Sequence, residues 1–294
     1  MLLFILYGII QQVSPVGGIV VFLIFIIAFP WIVWRSLKFN MRITSFSNVR
    51  FSFEGNVGGA YFNYMLMPFL FFISLYGTPI MLAVALPEVG DNTGAQAALI
   101  AISLLMVGFA FFMFALLKKK TASYFFNSAR YGQGQFSTEL ATTAFMKIAL
   151  KTIGLFFLGL LAFLILAGIY ALVAGLSSSL LGLAGNLDDS EAVKDVLASG
   201  AVALTILFVY IGFFAMSILV FSYSFARQRH YIYANSKLDE KISFTSTLGA
   251  RAMAWVSLTN LLAIIFSLGL AIPWAKVRMA RLLLENTLVD TSIG

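Results

Sequence analysis

The sequence contains no cysteine, a single histidine and, inside its long apolar stretches, no charged residue. Each absence removes a class of function. Without cysteine there are no disulfides, no thiolate nucleophile and no Cys-ligated metal. One histidine, His230, cannot supply the paired imidazoles of a His-based zinc site; between Arg229 and Tyr231 it reads as an interfacial side chain. Spans free of Asp, Glu, Lys and Arg lack the ionisable groups that ion-coupled transporters retain at a cost. The acids Asp188, Asp189, Glu191 and Asp195 cluster on a loop and read as a solvated short helix. No catalytic or metal constellation emerges, no cofactor is implied, and the chain reads as a non-enzyme.

What is present is overwhelmingly apolar. Hydrophobic residues make up 61% of the chain against 11% charged, with a mean hydropathy of +0.96, outside the range of a soluble domain. A helix crosses the hydrocarbon with about 20 apolar residues. Tyr64 to Leu86, Ala95 to Leu117, Thr152 to Leu176 and Ala201 to Ser224 meet that length. Val16 to Trp34 is a fifth, closed by Pro30, Trp31 and Trp34 at the headgroup level and anchored by Arg35 and Lys38. Met1 to Ile10 is short for a crossing and lacks the basic start of a secretory signal. Residues 1–34 therefore read as a helical hairpin whose first leg is cut short, with the natural start of the protein upstream of Met1.

The charge is sorted between alternate loops. Segments 35–60, 118–151, 225–251 and 276–294 hold every Lys and Arg except Lys194, whereas 87–94 and the loop 177–200 are acidic. Short loops rich in Lys and Arg stay on the cytoplasmic side. This predicts basic cytoplasmic caps, an N-terminus inside and an acidic external loop at 177–200. The net charge of +7 then reads as topology plus attraction to anionic headgroups, not as a nucleic-acid surface.

The last apolar stretch, Ala252 to Trp274, conflicts with this pattern, because a single crossing would carry Lys276, Arg278 and Arg281 outside. Ser267-Leu268-Gly269 offers a reversal, since glycine permits the backbone angles of a turn. Residues 252–285 are expected to enter and return as a re-entrant helical hairpin, with Asn260 satisfying backbone freed near Gly269; the alternative is an ordinary crossing with an external C-terminus.

The basic caps repeat a pattern. Lys118-Lys119-Lys120 leads to Asn127 and Phe136; Arg227-Gln228-Arg229 leads to Asn235 and Phe244; both Asn-to-Phe intervals are nine residues. A third copy runs Lys276, Arg278, Arg281 to Asn286, and a degenerate one has Arg42 where the others have Asn. Asn competes for backbone groups and stops each helix. Val49 to Phe53, Tyr131 to Phe136 and Leu238 to Phe244 follow as short strands or hairpins, with turns at Gly55, Gly132 and Gly134, and are expected to pair into a small sheet beneath the membrane.

These stretches resemble the YjgN-like inner-membrane proteins of bacteria, a family of unknown function. The resemblance is carried by Pro30-Trp31-Ile32-Val33-Trp34-Arg35, Arg50-Phe51-Ser52-Phe53-Glu54-Gly55 and Asn127-Ser128-Ala129-Arg130-Tyr131-Gly132. It is strongest at Leu258-Thr259-Asn260-Leu261-Leu262 and Pro273-Trp274-Ala275-Lys276-Val277-Arg278. It covers essentially the whole chain and implies one further repeat unit upstream. Where the family favours a double glycine this chain has Asp239-Glu240, which works against a tight turn. The resemblance supplies no catalytic residue, substrate or cofactor; proximity of such genes to a membrane-linked metallopeptidase implies that kind of partner.

The expectation is thus an all-α polytopic membrane protein, a single integral membrane domain with internal repeats. It has about six apolar helices, a re-entrant C-terminal hairpin and short cytoplasmic strands in repeated basic caps. Lys118, Lys119, Lys120, Arg227, Arg229, Lys276, Arg278 and Arg281 are candidate contacts for lipid phosphate or an acidic partner, and Asn127, Asn235 and Asn286 are cap turns. Asn63, Thr259, Asn260 and Gly269 are candidates for a polar path or for support of the re-entrant turn. The leading functional class is a non-enzymatic component that binds a membrane protein or anionic lipid at the cytoplasmic face. The alternative is a channel or transporter for a neutral or lipid-like molecule, using helices broken at Pro68, Gly77 and Pro79, at Gly154 and Gly159, and at Gly269 and Pro273.

Overall fold

The computed structural model describes residues 14–90, 92–173 and 200–290, with positions 8 and 12. The first leg of the expected N-terminal hairpin and the acidic loop up to residue 199 lie outside the described residues. Among the described residues, five helices are long and apolar enough to cross a membrane: Val16–Ile43, Val57–Pro87, Thr93–Asn127, Thr142–Tyr170 and Leu207–Ala234. They are apolar on all sides, and side chains such as Val84, Leu105 and Leu158 are exposed, as expected where lipid is the solvent.

The chain divides into two compact units, Met1–Met146 with Tyr231–Thr245 and Val289–Gly294, and Lys147–His230 with Ser246–Leu288. In the first, helix α1 (Pro15–Ile43) is capped by Ser14, whose Oγ accepts from the Gly17 N–H at 3.1 Å. The second span is α2 (Val57–Tyr61), a π turn (Phe62–Leu66) and α3 (Met67–Val89). Proline lacks the N–H that would bond the carbonyl four residues earlier and clashes with it. For Pro68 that residue is Tyr64, and the π turn lies there and absorbs the mismatch. Pro79, expected to interrupt the span, sits inside continuous helix. Helix α4 (Thr93–Asn127) packs along α3.

Among the described residues, three helix ends in the basic caps run into hairpins and the last into a single strand. Strands β1 (Ser45–Phe46) and β2 (Val49–Phe53) follow α1; β3 (Ala129–Tyr131) and β4 (Gly134–Thr138) follow α4. Helix α5 (Thr142–Val173) then leaves the cap, and α6 (Gly200–Ala234) returns to β5 (Ser236–Leu238) and β6 (Ile242–Ser246). Helices α7 (Ala250–Phe266) and α8 (Ile272–Glu285) lead to β7 (Thr287–Asp290). The strands lie in chain order, β1 to β7, and the paired neighbours β1 to β6 are antiparallel. Sequence reading anticipated a sheet of caps; the structure sets the turns within the expected strands. Tyr131 and Gly134 pair across a Gly132-Gln133 turn, and Leu238 pairs with Ile242.

Period-two alternation gives this sheet one inward face. Phe53, Ala129, Thr138, Leu238 and Ser236 are buried, while Gln135, Ser137 and Lys237 point outward and are exposed. The inward face carries an aromatic ladder across successive hairpins. Phe46 and Tyr131 lie 6.5 Å apart, Phe51 and Tyr131 4.9 Å, Phe51 and Phe136 6.4 Å, and Phe136 and Phe244 5.6 Å. Phe136 and Phe244, which end the two Asn-to-Phe intervals of the sequence, thus meet in the sheet.

In the second unit, α5 and α6 pack through small residues. A Cβ on Gly212 would overlap the Phe163 ring, and Gly159 faces Met216. Gly154 and Gly159, expected to open α5, lie in unbroken helix. Ala226, Leu248 and Met253 form a core with Met279, Leu282 and Leu283 around it.

Candidate functional site

The stretch that posed the topological conflict is a helical hairpin. α7 and α8 are joined by a reversal in which Leu268 (φ 50°) and Gly269 (φ 94°) adopt left-handed backbone, a conformation costly for Leu and free for Gly. Its N–H groups are all satisfied locally: Ser267 to the Ala263 carbonyl, Leu268 to Ile265, Gly269 to Ile264, Leu270 to Ser267, and Ile272 to Gly269. The Ala271 N–H donates to Ser267 Oγ at 2.9 Å. Asn260, expected to serve the backbone near Gly269, serves the neighbouring helix instead. Its Nδ2 donates to the Ala275 carbonyl at 3.1 Å, and Ser267 performs the task at the turn.

The two helices are further held by Arg278. Its Nη1 donates to Thr259 Oγ1 at 2.6 Å and to Asn260 Oδ1 at 3.2 Å, and its guanidinium lies 5.3 Å from the Trp274 ring centroid. At the open end, the Thr247 N–H donates to the Asn286 carbonyl at 3.1 Å. Arg229 of α6 reaches the Leu283 carbonyl at 3.1 Å and Thr287 Oγ1 at 2.8 Å. The hairpin's two feet are therefore side by side, at the level of the basic end of α6.

The remaining candidate cations divide by environment. Lys118 lies 5.5 Å over Phe114 and Arg227 5.7 Å over Tyr223, one turn back along their helices; Arg35 over Trp31 and Lys38 over Trp34 repeat the device. Side chains lean toward the helix N-terminus, so each cation rests on the ring preceding it. Lys119 is half-buried, and Lys120, Arg227, Lys276 and Arg281 are exposed. The cap asparagines act differently from one another. Asn235 and Asn286 donate to the carbonyls of Tyr231 and Leu282, at 2.7 and 2.9 Å, closing their helix ends. Asn127 turns its Oδ1 to accept from the Thr138 N–H at 2.7 Å, and Thr138 Oγ1 donates to the Asn235 carbonyl at 3.0 Å.

That last cluster floors an open groove of about 760 Å³ lined by Asn127, Gln135, Thr138, Glu139, Lys237 and Glu240, among others. Its rim depends on Asp239, a residue the sequence marked only as a missing glycine. Asp239 accepts from the Gln135 N–H on Oδ1 at 2.8 Å and returns its own N–H to the Gln135 carbonyl at 3.1 Å. Asp239 (φ 50°) and Glu240 (φ 59°) both take left-handed backbone, so the tight turn forms without glycine. Gly134 makes room, since a Cβ there would lie 2.6 Å from the Asp239 carboxylate.

Thr259 and Asn260 meet at Arg278, Gly269 stands apart at the tip of the hairpin, and Asn63 belongs to the other unit. Asn63 is 6% exposed in the π turn; its Nδ2 donates to the Gly59 carbonyl at 2.7 Å, and its Oδ1 has no partner among the described residues. His230 Nδ1 lies 2.8 Å from the Ser246 carbonyl; a carbonyl only accepts, so that nitrogen carries the proton.

Residues 1–293 match a family described as "Bacterial protein of unknown function (DUF898)". The chain is 25% identical over 299 aligned residues to "Inner membrane protein YjgN" of Salmonella typhimurium, covering 99% of this chain and 72% of that one. Proteins of the same name from Escherichia coli O157:H7 and strain K12 are each 22% identical, over 97% of this chain and 70% of theirs. No solved structure matches the chain.

Proposed function

Because the chain belongs to the DUF898 family, whose description assigns no activity, we propose from its geometry that it is a non-enzymatic component of the bacterial inner membrane that docks a membrane-protein partner at its cytoplasmic face. The observation that carries this reading is the sheet. Strands from every described basic cap are joined in one sheet, with an outward polar face and the groove beside Glu139, Lys237 and Glu240. Loops that served only to connect spans would need no such ordered platform. The concentration of Lys and Arg in these caps supports a cytoplasmic platform by the positive-inside rule. A membrane-linked metallopeptidase is the kind of partner the family resemblance suggests.

Affinity purification from native membranes in mild detergent, with mass spectrometry of what co-purifies, tests the reading. A stoichiometric protein partner is expected, and it is lost in a Glu139→Lys, Glu240→Lys variant that still folds. Recovery of lipid alone would overturn it. The transport reading retains one supporting observation, the Asn63 Oδ1 in a π turn with no partner among the described residues, since π turns recur at functional sites. Against it, Thr259 and Asn260 are consumed in holding the hairpin together.

A further inference from the structure

We propose that the α7–α8 hairpin is a re-entrant lipid clamp, its apolar tip in the hydrocarbon and Arg278, with Arg281, holding the phosphodiester of an anionic phospholipid. The inference rests on the chain being membrane-embedded, as read above, but not on a protein partner.

The tip is built for hydrocarbon. Phe266, Leu268 and Leu270 are 83, 95 and 86% exposed, yet the reversal beneath them leaves no N–H unsatisfied from Ser267 to Ile272. Backbone at membrane depth must be satisfied internally, and the N–H groups here are, by partners within the hairpin. The feet stay together at the basic end of α6, where Arg229 meets Leu283. With the Arg278 charge at the headgroup level, Ile272 lies about 9 Å deeper at ~1.5 Å per residue, about a third of the ~30 Å hydrocarbon core. The hairpin therefore dips into one leaflet and returns.

This register sets Arg278 near the headgroup boundary, one turn below Trp274. The guanidinium is half-buried, and among the described residues no carboxylate pairs with it; both of its hydrogen bonds leave Nη1 for neutral oxygens. Arg has five donors in a planar fork suited to phosphate. A partly desolvated charge calls for a counter-charge, and nothing described in the protein provides one. Arg281, three residues on and exposed, shares the Arg278 face of the helix, so the two cations bracket one anionic group with Trp274 at the acyl boundary.

The test reconstitutes the full chain in vesicles of phosphatidylcholine with a trace of spin-labelled phosphatidylglycerol or spin-labelled phosphatidylcholine, and measures the motionally restricted fraction. The wild type is expected to prefer phosphatidylglycerol. Arg278→Gln keeps an amide donor for Thr259 while removing the charge, and should reduce that preference about fivefold, the equivalent of ~1 kcal/mol per cation near a membrane surface; Arg278→Lys should retain most of it. If Arg278→Gln fails to fold, Arg281→Gln, whose head makes no described contact, must lower the preference instead. An unchanged preference in the folded variant, equal restriction of both lipids by the wild type, or displacement of the lipid by millimolar inorganic phosphate would each overturn the proposal. None of these outcomes bears on the co-purification of a partner, so the two readings fail separately.

Discussion

Asn260 shows at the scale of one residue why polar groups survive in an apolar stretch. It is 6% exposed and uses both ends of its amide, Nδ2 to the Ala275 carbonyl and Oδ1 from Arg278. Replacing it with leucine leaves a half-buried guanidinium short of an acceptor, and the loss is expected at about 1–3 kcal/mol. Thermal unfolding in detergent checks this: Asn260→Leu should melt well below the wild type, whereas Thr259→Ser, which keeps the hydroxyl, should not. An unchanged melting point for Asn260→Leu would mean that the hairpin is held by packing alone. The sequence made Asn260 conspicuous because an amide is rare in a span; it gave no sign of its partner, because Arg278 looked like every other exit cation until α8 was folded back on α7.

Among the elements, the β5–β6 hairpin is the instructive one. Its turn was expected to suffer from Asp239-Glu240 in place of glycines, but Asp tolerates left-handed backbone and its carboxylate also caps the Gln135 N–H across the sheet. Glu240 makes no such return, so its conformation costs of order 1 kcal/mol. Glu240→Gly should therefore stabilise the hairpin, and Asp239→Ala should weaken it, each by about 1 kcal/mol. Hydrogen exchange at the Gln135 amide reports both, slowing in the first variant and accelerating in the second; the reverse order would show that the turn is set elsewhere. Element existence was legible here from the Asn-to-Phe spacing, which marked each helix end and each aromatic rung. The broken spans were misread for a physical reason. Pro79 and Gly159 were counted as breaks by residue type, yet among the described residues the departure from helix in those spans is the π turn ahead of Pro68, and the glycine at which the chain reverses is Gly269.

For the whole molecule, the apolar runs and the sorting of Lys and Arg made the spans and their expected direction readable, because hydrocarbon thickness and charge translocation act on composition alone. The sheet was readable only as a possibility, since pairing between caps far apart in sequence depends on where their helices emerge. The central claim is that all the basic caps share the cytoplasmic side and that residues 250–285 enter the membrane and return to it. The absence of cysteine gives a background-free probe: single cysteines at Gln133, Arg251 and Leu288, with Asn92 for the opposite side, challenged with a membrane-impermeant thiol reagent in intact cells and in inverted vesicles. Positions 133, 251 and 288 should label only in inverted vesicles and position 92 only from outside. Labelling of position 288 from outside while position 251 stays protected would mean that the hairpin crosses, and would contradict the account.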